Sequence, residues 1–195
     1  MLAEIRSQLK AHQDVMEAIE RDLAPAIADA VSLLVDAFRD GKKLLVMGNG
    51  GSAADAQHFA AEIVGRFKLE RAALPAIALT TDSSILSAIG NDYGFDRVFS
   101  RQVEAHAQPG DVVIGISTSG NSPNVQLALE VAAQRGCRTV ALLGRDGGSI
   151  KKMAELSLVV SSDDTPRIQE GHIAIIHIVC DLVEKALFLP TAGGQ

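Results

Sequence analysis

The sequence is poor in aromatic residues, which make up only 4% of it and include no tryptophan. Proteins that hold single-stranded nucleic acid stack the bases on aromatic rings, so this composition argues against such a platform. Positive charge is also scarce, because 18 Lys and Arg residues are outnumbered by 24 Asp and Glu, for a net charge of −6. That balance gives no electrostatic attraction to nucleic acid or to an anionic membrane. An anionic ligand must therefore be held by local geometry.

Long apolar runs are missing as well, and cysteines are few. No run approaches the ~18 apolar residues that a membrane-spanning helix needs, and the richest, residues 173–180, is interrupted by His177. The N-terminal stretch carries charges throughout, unlike a signal peptide. The two cysteines, Cys137 and Cys180, lie in apolar contexts and are predicted to be buried thiols of a reduced compartment. We expect a cytoplasmic protein that binds neither nucleic acid nor membrane.

The order of predicted elements indicates one α/β domain over residues 1–195. Helical periodicity over residues 3–21, and again from Pro25 onward, predicts an N-terminal helical hairpin within residues 1–40. An α/β core is predicted over 41–189 and a frayed tail over 190–195. The predicted strands are residues 44–47, 76–79, 112–116, 139–143 and 156–160; the predicted helices are 53–67, 83–89, 95–107, 123–135, 149–153 and 167–188. Short apolar strands between helices are typical of a parallel sheet covered on both faces, which makes three layers.

Two turns rich in glycine and serine each follow a predicted strand and precede a predicted helix. They are residues 48–52 and residues 115–122. Such a turn favours an anion, because free backbone N–H groups and the helix dipole both attract negative charge. The second turn carries the hydroxyl groups of Ser117, Thr118, Ser119 and Ser122. Capping the next helix needs one hydroxyl, so four favour a phosphate site over a simple cap. Neither turn has a P-loop lysine or a G-x-G-x-x-G pattern, which argues against a nucleotide.

Acid-base residues follow the first turn. His58 and Glu62 are four residues apart and share one helix face, where they can bind a metal or move a proton, although such pairs are more often structural. On the last helix, His177 aligns with Gln169 and nearly with Glu170, so spacing does not choose between those two.

A further candidate lies in the middle of the chain. Asp92 is predicted to sit in a turn over residues 90–94, as a contact for sugar hydroxyls or as a structural Asx turn.

Five stretches of the sequence resemble the sugar isomerase (SIS) domain family and, more narrowly, its phosphoheptose isomerases. In order along the chain they are GNGGSAADAQHFAAE, GNDYGF, GISTSGNSPN, GRDGG and TPRIQEGHIAIIHIVCDLVEKALF. The resemblance implies a flavodoxin-like parallel sheet and a homotetramer with active sites at subunit interfaces. It also implies conversion of sedoheptulose 7-phosphate into D-glycero-D-manno-heptose 7-phosphate, the first step toward activated heptose for surface polysaccharides.

The resemblance also implies roles for individual residues. It implies one zinc ion per subunit, held by His58, Glu62, Gln169 and His177, and so selects Gln169 over Glu170. Glu62 and His177 are implied as the catalytic acid-base pair. Substrate contacts are implied for Asn49, Gly50, Gly51, Ser52, Glu62, Asn91, Asp92, Ser117, Thr118, Ser119, Ser122 and Gln169.

One geometric expectation follows from that zinc set. Gln169 and His177 are separated by about 12 Å along a straight helix. We therefore expect either that two subunits complete each site or that the helix is irregular near Pro166.

Two other functions remain as alternatives within the same family. A group of relatives serves as a tetrameric adaptor for the replication initiator DnaA and lacks the carboxylate found here at Glu62. Isomerases of other sugar phosphates, such as arabinose 5-phosphate, usually carry extra regulatory domains, for which this chain has no room.

Overall fold

Five short apolar segments form a single parallel sheet in the computed structural model, which describes residues 1–190. The strands are β1 (Leu44–Gly48), β2 (Ala76–Ala78), β3 (Val112–Ser117), β4 (Arg138–Gly144) and β5 (Leu156–Val160). Their order across the sheet is β2-β1-β3-β4-β5, and every pairing is parallel. Strands β1 and β3 are buried along their whole length, as expected where both faces of a sheet are covered. All five predicted strands are thus confirmed, with ends shifted by one residue at most.

Helices cover both faces of the sheet. They are α1 (Leu2–Arg39), α2 (Gly51–Val64), α3 (Ser83–Tyr93), α4 (Ser100–His106), α5 (Pro123–Gln134) and α6 (Thr165–Phe188), with short 3-10 helices at Phe95–Arg97 and Ile150–Lys152. Val46 and Ile114 point into a core shared with α1, α2 and α6. Their strand neighbours Leu45 and Val113 point into a second core shared with α4 and α5. The predicted three-layer α/β fold is therefore confirmed.

The N-terminal segment differs from the prediction, because the expected hairpin is one continuous helix with Pro25 inside it. Proline removes a helical hydrogen bond and costs about 3 kcal/mol in a helix interior, which is why the sequence pattern suggested a break. Both halves nevertheless bury apolar side chains in the same core, Ile19 before the proline and Ile27 after it. Tertiary packing on both sides thus outweighs the local preference.

The strand order places two connections side by side. From β1 the chain moves outward to β2, and it then returns to the other side of β1 to form β3. Such a reversal opens a crevice at the carboxyl ends of the two central strands, where open α/β sheets bind their ligands. Gly48, at the end of β1, is paired with Ile116, near the end of β3. The two predicted ligand turns therefore leave the sheet as neighbours.

Two remaining predictions concern membrane-spanning helices and the C-terminal tail. Over residues 1–190, no helix is both long and apolar enough to cross a membrane. The tail predicted over residues 190–195 lies outside the described residues except for Pro190.

Candidate active site

The first turn, residues 48–52, leads from β1 straight into α2. Gly48 has no room for a side chain, since a Cβ there would lie 2.8 Å from the Ser52 Cβ. Gly50 takes a positive φ of 58°, a conformation that glycine adopts without strain. It is the N-cap residue of α2, and its position carries no side-chain cap. Ser52 and Ala53 donate their N–H groups to the Asn49 and Gly50 carbonyls at 3.0 and 3.1 Å. The Gly51 N–H makes no such bond within residues 1–190 and is thus left for a ligand.

The second turn, from Ser117 to Ser122, links β3 to α5 and does not act as a cap. Ser122 is the N-cap residue of α5, but its side chain makes no capping hydrogen bond. Its Oγ lies instead 2.9 Å from the Ser117 Oγ, which is also 3.4 Å from the Ser119 Oγ. The hydroxyls therefore cluster over the start of α5. This arrangement favours the anion-binding interpretation of the turn over the capping one.

A pair of side-chain amides joins the two turns. The Asn49 amide nitrogen donates to Asn124 Oδ1, and the Asn124 amide nitrogen donates to Asn49 Oδ1, both at 2.9 Å. Asn124 is buried at the beginning of α5. Sequence reasoning missed this residue, although it closes the GISTSGNSPN stretch. The two candidate turns are thus joined directly by hydrogen bonds.

The connection after β4 supports the second turn from behind. Ile150 donates its backbone N–H to the Gly120 carbonyl at 3.0 Å, and Ser149 donates its own to Asn121 Oδ1 at 2.9 Å. A Cβ at Gly120 would overlap the Gly147 carbonyl, and a Cβ at Gly148 would lie 2.5 Å from the Gly120 carbonyl oxygen, so Gly120 and Gly148 are both needed for this close approach. The GRDGG stretch therefore has a structural role in shaping the serine-rich turn.

Three acid-base side chains from two helices meet beside the first turn. His58 Nε2 lies 3.0 Å from His177 Nε2 and 3.3 Å from Glu62 Oε1. The His177 ring also packs against the Phe67 ring, with 5.6 Å between centroids. His58 and Glu62 come from consecutive turns of α2, whereas His177 comes from α6, so the cluster depends on how these two helices pack.

The amide of Gln169 lies at the first turn, and the carboxylate of Glu170 lies elsewhere. A Cβ at Gly51 would collide with the Gln169 amide nitrogen, so the two residues are in direct contact. Glu170 instead accepts one hydrogen bond from Arg167 and interacts with His12 of α1, at 2.8 Å between Oε2 and Nδ1. The structure thus separates two residues that helical spacing left equivalent.

Helix α6 is regular from Thr165 onward, with Pro166 in its first turn. The expected irregularity near Pro166 is therefore wrong, because proline is well tolerated at a helix start. The other expectation, that two subunits complete each site, stays a prediction.

The donor atoms at His58, Glu62 and His177 have the chemistry of a zinc site. Tetrahedral zinc with bonds of ~2.0–2.1 Å holds its donor atoms about 3.3 Å apart, close to the two distances measured here. Within residues 1–190, no group of three or more His, Cys, Asp and Glu side chains is positioned to hold a metal ion. His58 is nevertheless close to both His177 and Glu62, and these residue types are ones that bind zinc.

Asn91 and Asp92 lie in the last turn of α3, so the turn predicted over residues 90–94 is wrong. The helix is capped by Asp82, which accepts from the Ile85 N–H at 2.9 Å, and it runs on to Gly94, where φ is +88°. The Asn91 amide donates to Asp92 at 2.8 Å. In the described part of the chain, no hydrogen bond links either residue to the two ligand turns or to the His58 cluster.

Two further side chains near the cluster have shifted pKa values. Burial raises the pKa of Asp55, one turn before His58, against the opposing effect of the His58 charge. Burial also raises the pKa of the Cys180 thiol to about 12, with Glu62 adding to the effect. The thiol is protonated at neutral pH, so Cys180 is not a nucleophile.

Sequence reasoning also missed a buried ion pair behind the cluster. Arg71 and Glu184 are 113 residues apart in sequence, and their side chains are 1% and 2% exposed, with 3.0 Å between Arg71 Nε and Glu184 Oε2. A signal for Glu184 was present, because it lies seven residues after His177 and thus near the same face of α6. Nothing local pointed to Arg71.

Comparison with known proteins identifies the family of this chain. The SIS domain family model matches residues 9–144. A phosphoheptose isomerase of a Geobacter species is 77% identical over 189 residues, covering 97% of this chain and 98% of the relative. The solved phosphoheptose isomerase of Neisseria gonorrhoeae has a TM-score of 0.90 at 46% identity, covering 95% and 100% of the two chains. That of Francisella tularensis has a TM-score of 0.91 at 38% identity, covering 94% and 98%. The chain belongs to the SIS domain family and, within it, to the phosphoheptose isomerases.

Proposed function

We propose that this protein is a sugar-phosphate isomerase that converts sedoheptulose 7-phosphate into D-glycero-D-manno-heptose 7-phosphate. The observation that carries the proposal is the meeting of His58, Glu62 and His177 beside a serine-rich turn at the switch point of the sheet. The named relatives support the same activity at up to 77% identity. They give no support to the alternative of a DnaA adaptor.

The phosphate and the reacting carbons are held by different elements. The hydroxyls of Ser117, Thr118, Ser119 and Ser122, with the start of α5, hold the phosphate, and residues 49–52 hold the sugar beside it. The uncapped N-termini of α2 and α5 favour negative charge, which suits a phosphate ester in a chain that is acidic as a whole.

The reaction moves a hydrogen from C1 to C2 through an enediol. Glu62 takes the C1 proton while His177 gives a proton to the C2 carbonyl oxygen, so that a C1–C2 double bond forms. The proton on Glu62 then goes to C2, and the C1 hydroxyl loses its proton to His177, leaving the aldehyde. Both residues end the cycle as they began it.

Zinc, at one ion per subunit, is proposed at the same residues. His58, Glu62 and His177 would hold it, with Gln169 as the fourth ligand that the family resemblance implies. When bound, the ion supplies Lewis-acid stabilisation to the oxygens at C1 and C2. Glu62 and His177 would then each have two tasks, metal ligation and proton transfer.

A homotetramer with sites at subunit interfaces is part of the proposal. Ile178 and Leu182 on α6 are 41% and 40% exposed, and they line an apolar groove with Ile27 and other residues of α1. Exposed apolar surface of this kind marks contact regions between chains. Asn91 and Asp92, which have no hydrogen bond to the site within the described residues 1–190, are proposed to meet substrate across such an interface. The buried free thiols Cys137 and Cys180 support a cytoplasmic setting.

The activity is tested by incubating the protein with sedoheptulose 7-phosphate, with and without a chelator, and following the sugar by NMR. We expect an aldoheptose 7-phosphate, and less of it after chelation. Its absence under both conditions would favour the adaptor function.

The role of Glu62 is tested by replacing it with glutamine, which keeps the shape of the side chain and removes the base. We expect kcat to fall at least about 100-fold, the usual contribution of general acid-base catalysis, while the sugar phosphate still binds. Glu170→Gln is the matched control, because Glu170 faces α1 and should leave turnover unchanged. Near-normal turnover in Glu62→Gln would remove Glu62 from the mechanism.

A further inference from the structure

The segment between α2 and β2 is held by a single buried carboxylate of α6. Glu184 accepts backbone N–H groups from three consecutive residues, Phe67 at 2.9 Å, Lys68 at 2.8 Å and Leu69. Its side chain is only 2% exposed. The carboxylate therefore fixes the backbone of this segment, residues 65–75, at its centre.

Arg71 connects the same carboxylate to the end of α2. Its Nε donates to Glu184 Oε2 at 3.0 Å, and its Nη2 donates to the backbone carbonyl of Glu62 at 2.9 Å. A third contact, from Nη1 to the Ala72 carbonyl at 2.9 Å, holds the segment itself. The planar guanidinium can serve these acceptors together because its donors have a fixed fork geometry. One side chain thus links the turn that bears Glu62 to the helix that bears His177.

Phe67 carries the same restraint to His177. Its ring packs on the His177 ring with 5.6 Å between centroids and 31° between planes, and its backbone N–H is bound to Glu184. Glu184 lies seven residues beyond His177, or about two helical turns along the same face. The contact between the Phe67 and His177 rings therefore depends on the hydrogen bond that anchors the Phe67 backbone to Glu184.

The charge state and burial of the Arg71–Glu184 pair indicate that it fixes the local arrangement more than it stabilises the fold. Burial acts to raise the pKa of Glu184, but the three backbone N–H groups and Arg71 together lower it, so the carboxylate is ionised. Buried ion pairs contribute little net stability compared with apolar residues of similar volume, and one attested use of them is to fix a unique arrangement. Here the fixed arrangement is that of α2 against α6.

We propose that Arg71 and Glu184 are positioning residues for the isomerisation, which hold Glu62 and His177 at the separation that proton transfer requires. The proposal rests on the proposed function. Neither residue touches the substrate, because both act through backbone groups and the Phe67 ring. The pair should therefore affect the chemical step and leave phosphate binding, at the opposite end of the substrate, unchanged.

The test compares Glu184→Gln and Arg71→Lys with the unchanged protein in steady-state isomerisation. In Glu184→Gln, an amide NH₂ group replaces one of the two carboxylate oxygens that accept the four N–H donors. In Arg71→Lys, the single ammonium group cannot reach Glu184 and the Glu62 carbonyl together. We expect kcat to fall about 10- to 100-fold, as for small misplacements of reacting groups, while KM stays within about threefold. Unchanged kcat in both variants would overturn the proposal.

Asp181→Asn is the matched control. Asp181 lies on α6 one turn before Glu184 and pairs with Lys68 of the same segment at 3.1 Å and with Lys185 at 2.6 Å. It binds only side-chain ammonium groups at the surface, so its loss should leave kcat unchanged. A fall in kcat equal to that of Glu184→Gln would show that any charge change on this face has the same effect, and would overturn the positioning role.

A second variant covers the case in which Glu184→Gln does not fold. Phe67→Leu keeps every backbone hydrogen bond to Glu184 and removes only the ring against His177. A lower kcat with unchanged KM supports the proposal, and a kcat like that of the unchanged protein overturns it. If the unchanged protein itself does not isomerise the sugar, the proposed function fails first, so the two failures are distinguishable.

Discussion

Replacing Gly51 with alanine should damage catalysis without weakening the fold. The new Cβ would lie 3.0 Å from the amide carbon of Gln169, and closer still to its nitrogen, whereas ordinary contacts begin at 3.4 Å. The amide must then retreat by about 1 Å, and a misplacement of that size near reacting groups costs on the order of 100-fold in rate. We expect kcat/KM to fall by about that factor.

Stability separates this effect from misfolding. Gly51 is the first residue of α2 and does not have a positive φ. Alanine is a better helix former than glycine by up to about 1 kcal/mol, so the melting temperature should not fall. The assay pairs sugar isomerisation with thermal unfolding of the same preparations.

A double-mutant cycle with Gln169→Ala provides the control. Once the amide is removed, the Cβ at position 51 has nothing to displace, so Gly51→Ala should add less than about twofold to the loss in Gln169→Ala. Additive losses, or a Gly51→Ala variant with kcat/KM within threefold of the unchanged protein, would refute the reasoning.

Two further predictions concern buried polar groups. Burial lowers the pKa of His172 from 6.5 to about 4, against the opposing effect of the hydrogen bond that its Nε2 donates to the Leu143 carbonyl. This histidine stays neutral in the folded protein, whereas in the unfolded chain it takes up a proton below about pH 6.5. The free energy of unfolding should therefore fall by about 3 kcal/mol as the pH drops from 6.5 toward 4. Denaturant unfolding from pH 7 to pH 4 should show that loss, and His172→Gln should reduce it; an unchanged pH dependence in the variant would contradict the assignment. Asn124→Ala should leave the Asn49 amide without its partner and cost about 1–3 kcal/mol of stability, measured by denaturant unfolding. It should also raise the KM for isomerisation, because the first turn is held less firmly. An unchanged KM would show that the two turns are independent.

The sheet was predictable because its strands are short apolar runs, three of which (β1, β3 and β4) end at glycine or serine. Those signals are local, and the same is true of the two ligand turns. The N-terminal helix was mispredicted at Pro25, since the local preference of proline is overridden by contacts of Ile19 and Ile27 with distant strands. Likewise, α3 continues through Gly90, whose φ is not positive, and the helix ends at Gly94, where φ is +88°.

The site was only partly predictable. Helical spacing found His58 and Glu62, but the approach of His177 across 119 residues was reached only through the resemblance to a family. Spacing also left Gln169 and Glu170 equivalent, and their different neighbours are set by α1 and the first turn. The links from Arg71 and Glu184 depend on tertiary packing and have no local pattern.

The division of labour between the serine-rich turn and the two helices has an evolutionary consequence. The proposed phosphate cradle, residues 117–122, has hydroxyl groups that contact one another without any group from the His58 cluster. A descendant that lost Glu62 would keep a receptor for sugar phosphates, since no hydrogen bond of the cradle passes through that carboxylate. One substitution in α2 would then turn a catalyst into a sensor, with the sheet and both turns inherited unchanged.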